Sequence, residues 1–147
     1  MHRRAVAVLA AAVLTLGLGA CSDTSEVVSV TDGPTAAAAP DPGAALDPAA
    51  FAAALKQPGT VIGDVRTPAE FAEGHLPGAV NLDVESPDFP QGAAALDPAG
   101  TYAIYCRSGN RSGVAVAYLT GQGFASIYHL AGGITAWEAD GGEVTTG

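Results

Sequence analysis

Hydrophobic and polar positions divide the 147-residue chain into three regimes. Residues 5–20 are apolar throughout, broken only by Thr15 and two glycines. Residues 22–45 show no apolar periodicity and are dominated by Ser, Thr, Asp, Ala, Gly and Pro, with no aromatic residue and no cation. From residue 47 onward, short β-branched or aromatic runs alternate with helical stretches. Asp47-Pro48 supplies an N-cap and a first-turn proline for a helix to about residue 56, which Pro58-Gly59 stops. Residues 60–65 form a buried-strand pattern, and Thr67 and Glu70 behind it have the spacing of a capping box. Further strands are predicted at 79–82, 101–105 and 126–129, with helices at 112–120 and 134–140. The Pro- and Ala-rich stretch 86–100 predicts no more than a helical turn near 92–96. Strands alternating with helices in this way predict an α/β domain: a small parallel sheet with helices on both faces.

The first regime carries its own chemistry. Arg3 and Arg4 precede the apolar run, which at sixteen residues is shorter than the roughly 20 needed to cross a bilayer core. It ends in Leu18-Gly19-Ala20-Cys21, which resembles the lipobox of bacterial lipoproteins. That resemblance implies cleavage before Cys21, acylation of Cys21 with lipid, and a protein held at the cell membrane on its extracytoplasmic side. A secretory leader with an incidental cysteine and an uncleaved anchor are the competing readings. The expected organisation is a lipoprotein signal peptide at 1–20, a lipidated Cys21 with a disordered tether at 21–46, and a folded domain at 47–147. A tether of about 25 residues has a mean reach of about 25–30 Å.

Charge sharpens the picture. Six Lys and Arg stand against fifteen Asp and Glu, for a net charge of −9, and loss of Arg3 and Arg4 with the leader takes it to −11. Such a balance excludes nucleic acid as a partner, because phosphate neutralisation needs a clustered basic face. The 48% hydrophobic content suits one packed core. With Cys21 acylated, Cys106 is the only free thiol.

Cys106 stands in the most informative stretch of the chain. The strand 101–105 delivers it into Cys106-Arg107-Ser108-Gly109-Asn110-Arg111, and a helix follows from Ser112. In open α/β sheets ligands bind beyond the carboxyl ends of strands. A loop closing onto a helix N-terminus turns backbone N–H groups inward and, with the helix dipole, cradles an anion. A thiol at the base of that cradle is biased towards thiolate. Arg107 and Arg111 add positive charge, and Gly109 permits the curvature. The pattern fits a nucleophilic thiolate that meets an anionic substrate.

These residues resemble the single-domain rhodaneses, whose site loop is of the Cys-Arg-Ser-Gly-Asn-Arg-Ser kind. Asp64-Val65-Arg66-Thr67-Pro68 with Glu70-Phe71, and Gly74-His75-Leu76-Pro77-Gly78-Ala79-Val80-Asn81, look like the family's N-terminal signatures, and Ala131-Gly132-Gly133-Ile134 with Trp137 looks like its C-terminal one. The resemblance implies sulfur transfer. The Cys106 thiolate takes the outer sulfur of a small anionic donor such as thiosulfate, sulfite leaves, and a thiol or cyanide acceptor removes the sulfur from the persulfide. It implies Cys106 as nucleophile, Arg107 and Arg111 as anion contacts, and Ser108, Gly109, Asn110, Arg111 and Ser112 as the backbone cradle. No metal or organic cofactor is called for, and the three histidines are scattered. Phosphatases and arsenate reductases use related Cys-and-Arg loops, but with five residues between Cys and Arg where this chain has four. A non-catalytic binding module or persulfide carrier is the other alternative.

Other residues have plainer expectations. Arg66 is expected in a structural ion pair with a carboxylate such as Glu70. His75 should order the turn at 74–78, His129 should be a core or strand-end histidine, and Trp137 a core anchor. Gly132-Gly133 is read as a tight strand-to-helix turn.

Overall fold

A computed structural model describes residues 38–147. The leader, Cys21 and the tether up to residue 37 lie outside the described residues. The elements in chain order are β1 (Ala45–Leu46), α1 (Pro48–Leu55), β2 (Thr60–Asp64), α2 (Pro68–Glu73), β3 (Val80–Asn81), α3 (Phe89–Ala94), β4 (Thr101–Tyr105), α4 (Asn110–Gly121), β5 (Ser126–Leu130) and α5 (Gly133–Ala139). The five strands form one sheet in the order β1-β5-β4-β2-β3. Every pairing in it is parallel.

Helix starts follow the local chemistry. Asp47 caps α1, its carboxylate accepting from the Ala50 amide at 2.8 Å, and Pro48 occupies the first turn. Thr67 and Glu70 cap α2 reciprocally, as their spacing predicts. Two elements depart from expectation. Residues 45–46, expected as the end of the tether, are the edge strand β1, paired in register with His129 and Leu130. The Gly43 amide also donates to the Ile127 carbonyl at 2.7 Å. A two-residue strand is too short to show periodicity, and only β5 gives these backbone groups a partner. In the stretch 86–100, α3 spans Phe89–Ala94, earlier than the turn expected near 92–96, because Phe89 and Ala93 supply the buried face.

Each strand of the sheet centre serves two cores. Along β4, Tyr102, Ile104 and the following Cys106 face a cluster with Phe89, Ala93, Ala115, Val116 and Leu119, contributed by α3 and α4. Ala103 and Tyr105 face the opposite cluster, with Phe51, Ile134 and Trp137 from α1 and α5. The period of two along a strand thus explains why β4 reads as a continuous apolar run: both of its faces are covered. The same alternation delivers Cys106 to the α4 side of the sheet. Ile127 on β5 lies on that side too, while Tyr128 and Leu130 lie on the other.

Candidate active site

The chain leaves β4 at Tyr105 and turns through residues 106–109 into α4. Gly109 makes the turn possible at φ 95°, and a Cβ there would also stand 3.2 Å from the Gly132 amide nitrogen. The loop wraps around Cys106, a residue 1% exposed. The Gly109 amide donates to Sγ at 3.1 Å, and the Ser112 hydroxyl lies 3.5 Å from it. Burial pushes the Cys106 thiol up. The Ser112 hydroxyl and the amides of Ser112, Ser108 and Gly109 outweigh that and bring it below the ordinary thiol range. The twelve-residue α4 points its N-terminus at the same atom. Of the amides expected from Ser108 to Ser112, those of Ser108, Gly109 and Ser112 bear on the sulfur. Asn110 takes the first helical position and is exposed.

A second element braces the loop. The Ile134 amide donates to the Cys106 carbonyl at 2.8 Å and the Thr135 amide to the Arg107 carbonyl at 3.2 Å. The first turn of α5 thereby satisfies the outward carbonyls of the loop while the loop's amides face the sulfur. Gly133, at φ 62°, allows this approach: a Cβ there would stand 2.4 Å from the Cys106 oxygen. Gly132-Gly133 is a strand-to-helix turn, as expected, and also the floor under the active-site loop.

The arginines divide into three roles. Arg107 is exposed and has no salt-bridge partner among the described residues, which leaves it free for an anion. It borders an open hollow of about 470 Å³ shared with Arg66, Glu70, Glu73, Thr135 and Glu138. Arg66 is a structural ion pair, as expected, but its partner is Asp64 at 2.6 Å, not Glu70. Its guanidinium also donates to the Gly74 carbonyl at 2.6 Å and sits 5.7 Å from the centre of the Tyr105 ring. Arg111 corrects the expectation of a second anion contact. Both of its terminal nitrogens are taken by Glu70, each at 2.7 Å, and one also donates to Glu85 at 2.9 Å. The reason is the excess of acid: α2 and the segment after β3 bring two carboxylates, far apart in sequence, to one guanidinium.

The Arg111 guanidinium holds Glu70 well below the carboxylate range, to about 2; partial burial works against this, and the Thr67 amide helps. A carboxylate with a depressed folded value contributes stability above its unfolded pKa of about 4.3 and loses it as pH falls towards the folded value. Thermal melts should therefore show Glu70→Gln less stable than wild type by about 1–3 kcal/mol at pH 7, after allowance for solvent screening, with the gap closing between about pH 4.3 and 2. A gap that is flat across that range would remove the pair from the stability account.

His75 does order the turn after α2. Its Nδ1 lies 2.9 Å from the Phe71 carbonyl, its ring stacks on Phe71 at 3.7 Å, and its backbone bridges to Thr145. Trp137 is fully buried and edges onto Phe51, as a core anchor should. His129 is at the strand end as expected, but its Nδ1 lies 3.1 Å from the Ser112 hydroxyl, one step from the sulfur. That link went unread in the sequence. The signal was there in the alternation of β5, where residue 129 shares a face with Ile127 and pairs in register with Ile104, two residues before Cys106.

Known proteins can now be set beside this geometry. The rhodanese-like domain family matches residues 47–140. The thiosulfate sulfurtransferase GlpE of Pseudomonas entomophila is 40% identical over 89 residues, covering 60% of this chain and 79% of that protein. A sulfurtransferase of Allochromatium vinosum is 42% identical over 78 residues, 53% of this chain and 71% of the other. Among solved structures, a rhodanese-related protein of Thermoplasma volcanium superposes with a TM-score of 0.63 at 27% identity, over 71% of this chain and 99% of that one. With a parallel sheet of this order, a thiol beside inward amides at a helix N-terminus, and a family match over residues 47–140, the chain belongs to the rhodanese-like family and is a rhodanese-type sulfurtransferase.

Proposed function

We propose that this domain moves a sulfane sulfur from thiosulfate, or a related small anionic donor, to a thiol acceptor through a persulfide on Cys106. The observation that carries the reading is the Cys106 sulfur, held below the ordinary thiol range inside a ring of inward amides. The thiolate attacks the outer sulfur of thiosulfate; a new S–S bond forms, the donor's S–S bond breaks, and sulfite leaves with the electron pair. The persulfide's outer sulfur sits about 2 Å further towards solvent, where the acceptor thiolate or cyanide attacks it and the Cys106 thiolate departs. Two negative charges, on the thiolate and then on the terminal persulfide sulfur, occupy one place in turn. The amides and helix dipole stabilise both without reorganising. Arg107 beside the open hollow is the cation that meets the donor anion. The relatives named thiosulfate sulfurtransferase support the choice of donor.

The test uses the full chain. Incubation with thiosulfate should add the mass of one sulfur atom to the Cys106 peptide, and subsequent cyanide should release thiocyanate and reverse the gain. An unmodified Cys106 with no thiocyanate formed would end the proposal.

The same reading places the domain outside the cytoplasm, tethered by lipid on Cys21. Its support is the order of two arginines, an apolar run, small residues and cysteine at the start of the chain. Cys21→Ser should move the protein from the membrane to the soluble fraction of its host. Equal membrane retention in that variant would show the lipobox to be spurious.

A further inference from the structure

The Ser112 hydroxyl is fully buried and has one proton for three acceptors. The Gly109 carbonyl lies 3.0 Å away, His129 Nδ1 3.1 Å and Cys106 Sγ 3.5 Å. A serine in the first turn of a helix readily spends its proton on the carbonyl three residues back, here Gly109. His129 can do the same damage, since a bare Nδ1 accepts from a hydroxyl. A protonated Nδ1 does the reverse. It donates to the serine oxygen and leaves the hydroxyl proton to the two remaining acceptors. Of these the thiolate is charged, and a charge-assisted hydrogen bond is roughly twice as strong as a neutral one. Each donor in such a chain also polarises the next.

We infer that His129 is a positioning residue for the reactive sulfur: its Nδ1–H donates to Ser112 Oγ and so turns the single hydroxyl proton of Ser112 onto Cys106 Sγ. The sheet places it for this. β5 pairs with β4 so that His129 stands opposite Ile104, on the face that also carries Cys106, and Ser112 lies in the first turn of the helix packed over both. Its register partners Ala45 and Ile104 and the neighbouring Gly113 on α4 carry no ionisable group, and the nearest one given by its contacts is Cys106, beyond Ser112. Partial burial lowers the imidazole below its ordinary range, which favours the neutral ring, in which the donated proton belongs to a tautomer and not to a charge. Ser112 is also the foremost of the groups that draw the Cys106 thiol down against its burial. A histidine that governs this hydroxyl therefore governs the thiolate fraction.

The assignment rests on Cys106 being the reactive thiolate, but its test needs no sulfur transfer. In the full chain, the rate of iodoacetamide alkylation at the Cys106 peptide, followed by mass spectrometry across pH, reads the thiol titration directly. His129→Leu should raise the midpoint by about 0.5–1 pH unit and slow alkylation at pH 7 about three- to tenfold. His129→Asn, whose amide N–H can replace Nδ1–H, should return both to within about twofold of wild type. Ser112→Ala should give a shift of similar size, and adding His129→Leu to it should add nothing further. His129→Phe keeps the ring without a donor and repeats the leucine test should that variant unfold. A midpoint unmoved by Leu and Phe, or moved equally with and without Ser112, overturns the inference. Failure of the wild-type chain to form a persulfide would instead end the proposed function and leave this result standing.

Discussion

Replacing Cys106 with serine is expected to abolish sulfur transfer, lowering the thiosulfate–cyanide rate by on the order of 10⁴-fold or more. The site is built for a soft anion. Its amides and the Ser112 hydroxyl draw the thiol below its ordinary range, against the effect of burial. A serine hydroxyl at the same place would need to lose a far more tightly held proton, and among the described residues no base touches this atom. Ser112 Oγ lies 3.5 Å from this atom and carries no negative charge with which to take a proton. Nor does an alkoxide form the sulfur–sulfur bond on which the second half of the proposed reaction depends. The fold should tolerate the change, since serine is slightly smaller and finds the Gly109 amide and Ser112 hydroxyl as partners. A melting temperature within a few degrees of wild type, with no thiocyanate above background, is the expected pair of results. Residual turnover at even a tenth of the wild-type rate would mean that the sulfur passes through another group.

Gly133→Ala is the second large effect, and it acts without touching the sulfur. An alanine Cβ would stand 2.4 Å from the Cys106 carbonyl oxygen and 2.5 Å from the Arg107 carbonyl carbon and oxygen. All three are backbone atoms, so no side-chain rotation relieves the clash. Alanine at φ 62° adds a left-handed backbone cost of about 1–2 kcal/mol, and overpacking a filled site adds about 1–3 kcal/mol. Moving either side relieves it only by stretching the hydrogen bonds from Ile134 and Thr135 to the loop. Stability should fall by about 2–5 kcal/mol, read by chemical denaturation. The sulfur-transfer rate of the folded fraction should fall about a hundredfold or more, because a displacement of about 1 Å spoils a preorganised site. Wild-type rate at reduced stability would separate the two effects and show that the loop keeps its shape without this brace.

Much of this was legible in the chain because the governing interactions are local. Asp47 and Thr67 mark helix starts through hydrogen bonds that span three residues. The alternation in Thr101–Tyr105 follows from the two-residue period of a strand, and the loop from Cys106 to Ser112 holds its thiol, its glycine and its helix start in seven consecutive positions. Residues at this range find one another whatever the rest of the molecule does. Arg111 shows the limit. Its spacing from Cys106 suggested an anion contact, yet the choice between substrate and carboxylate depended on Glu70 and Glu85, 41 and 26 positions away.

The sequence by itself determined the class of the domain and the loop that carries Cys106 from a strand end into a helix start, since each rests on neighbours along the backbone. Tertiary structure alone decided which cations remain free, what braces the loop and what stands behind Ser112. Ion pairing is settled by whichever opposite charge the fold brings within about 4 Å, and in a chain with this acid excess Arg66 and Arg111 are spent while Arg107 is left at the mouth. The Gly133 floor and the His129 contact arise in the same way, from the packing of α5 and β5 against a loop that precedes them in the chain.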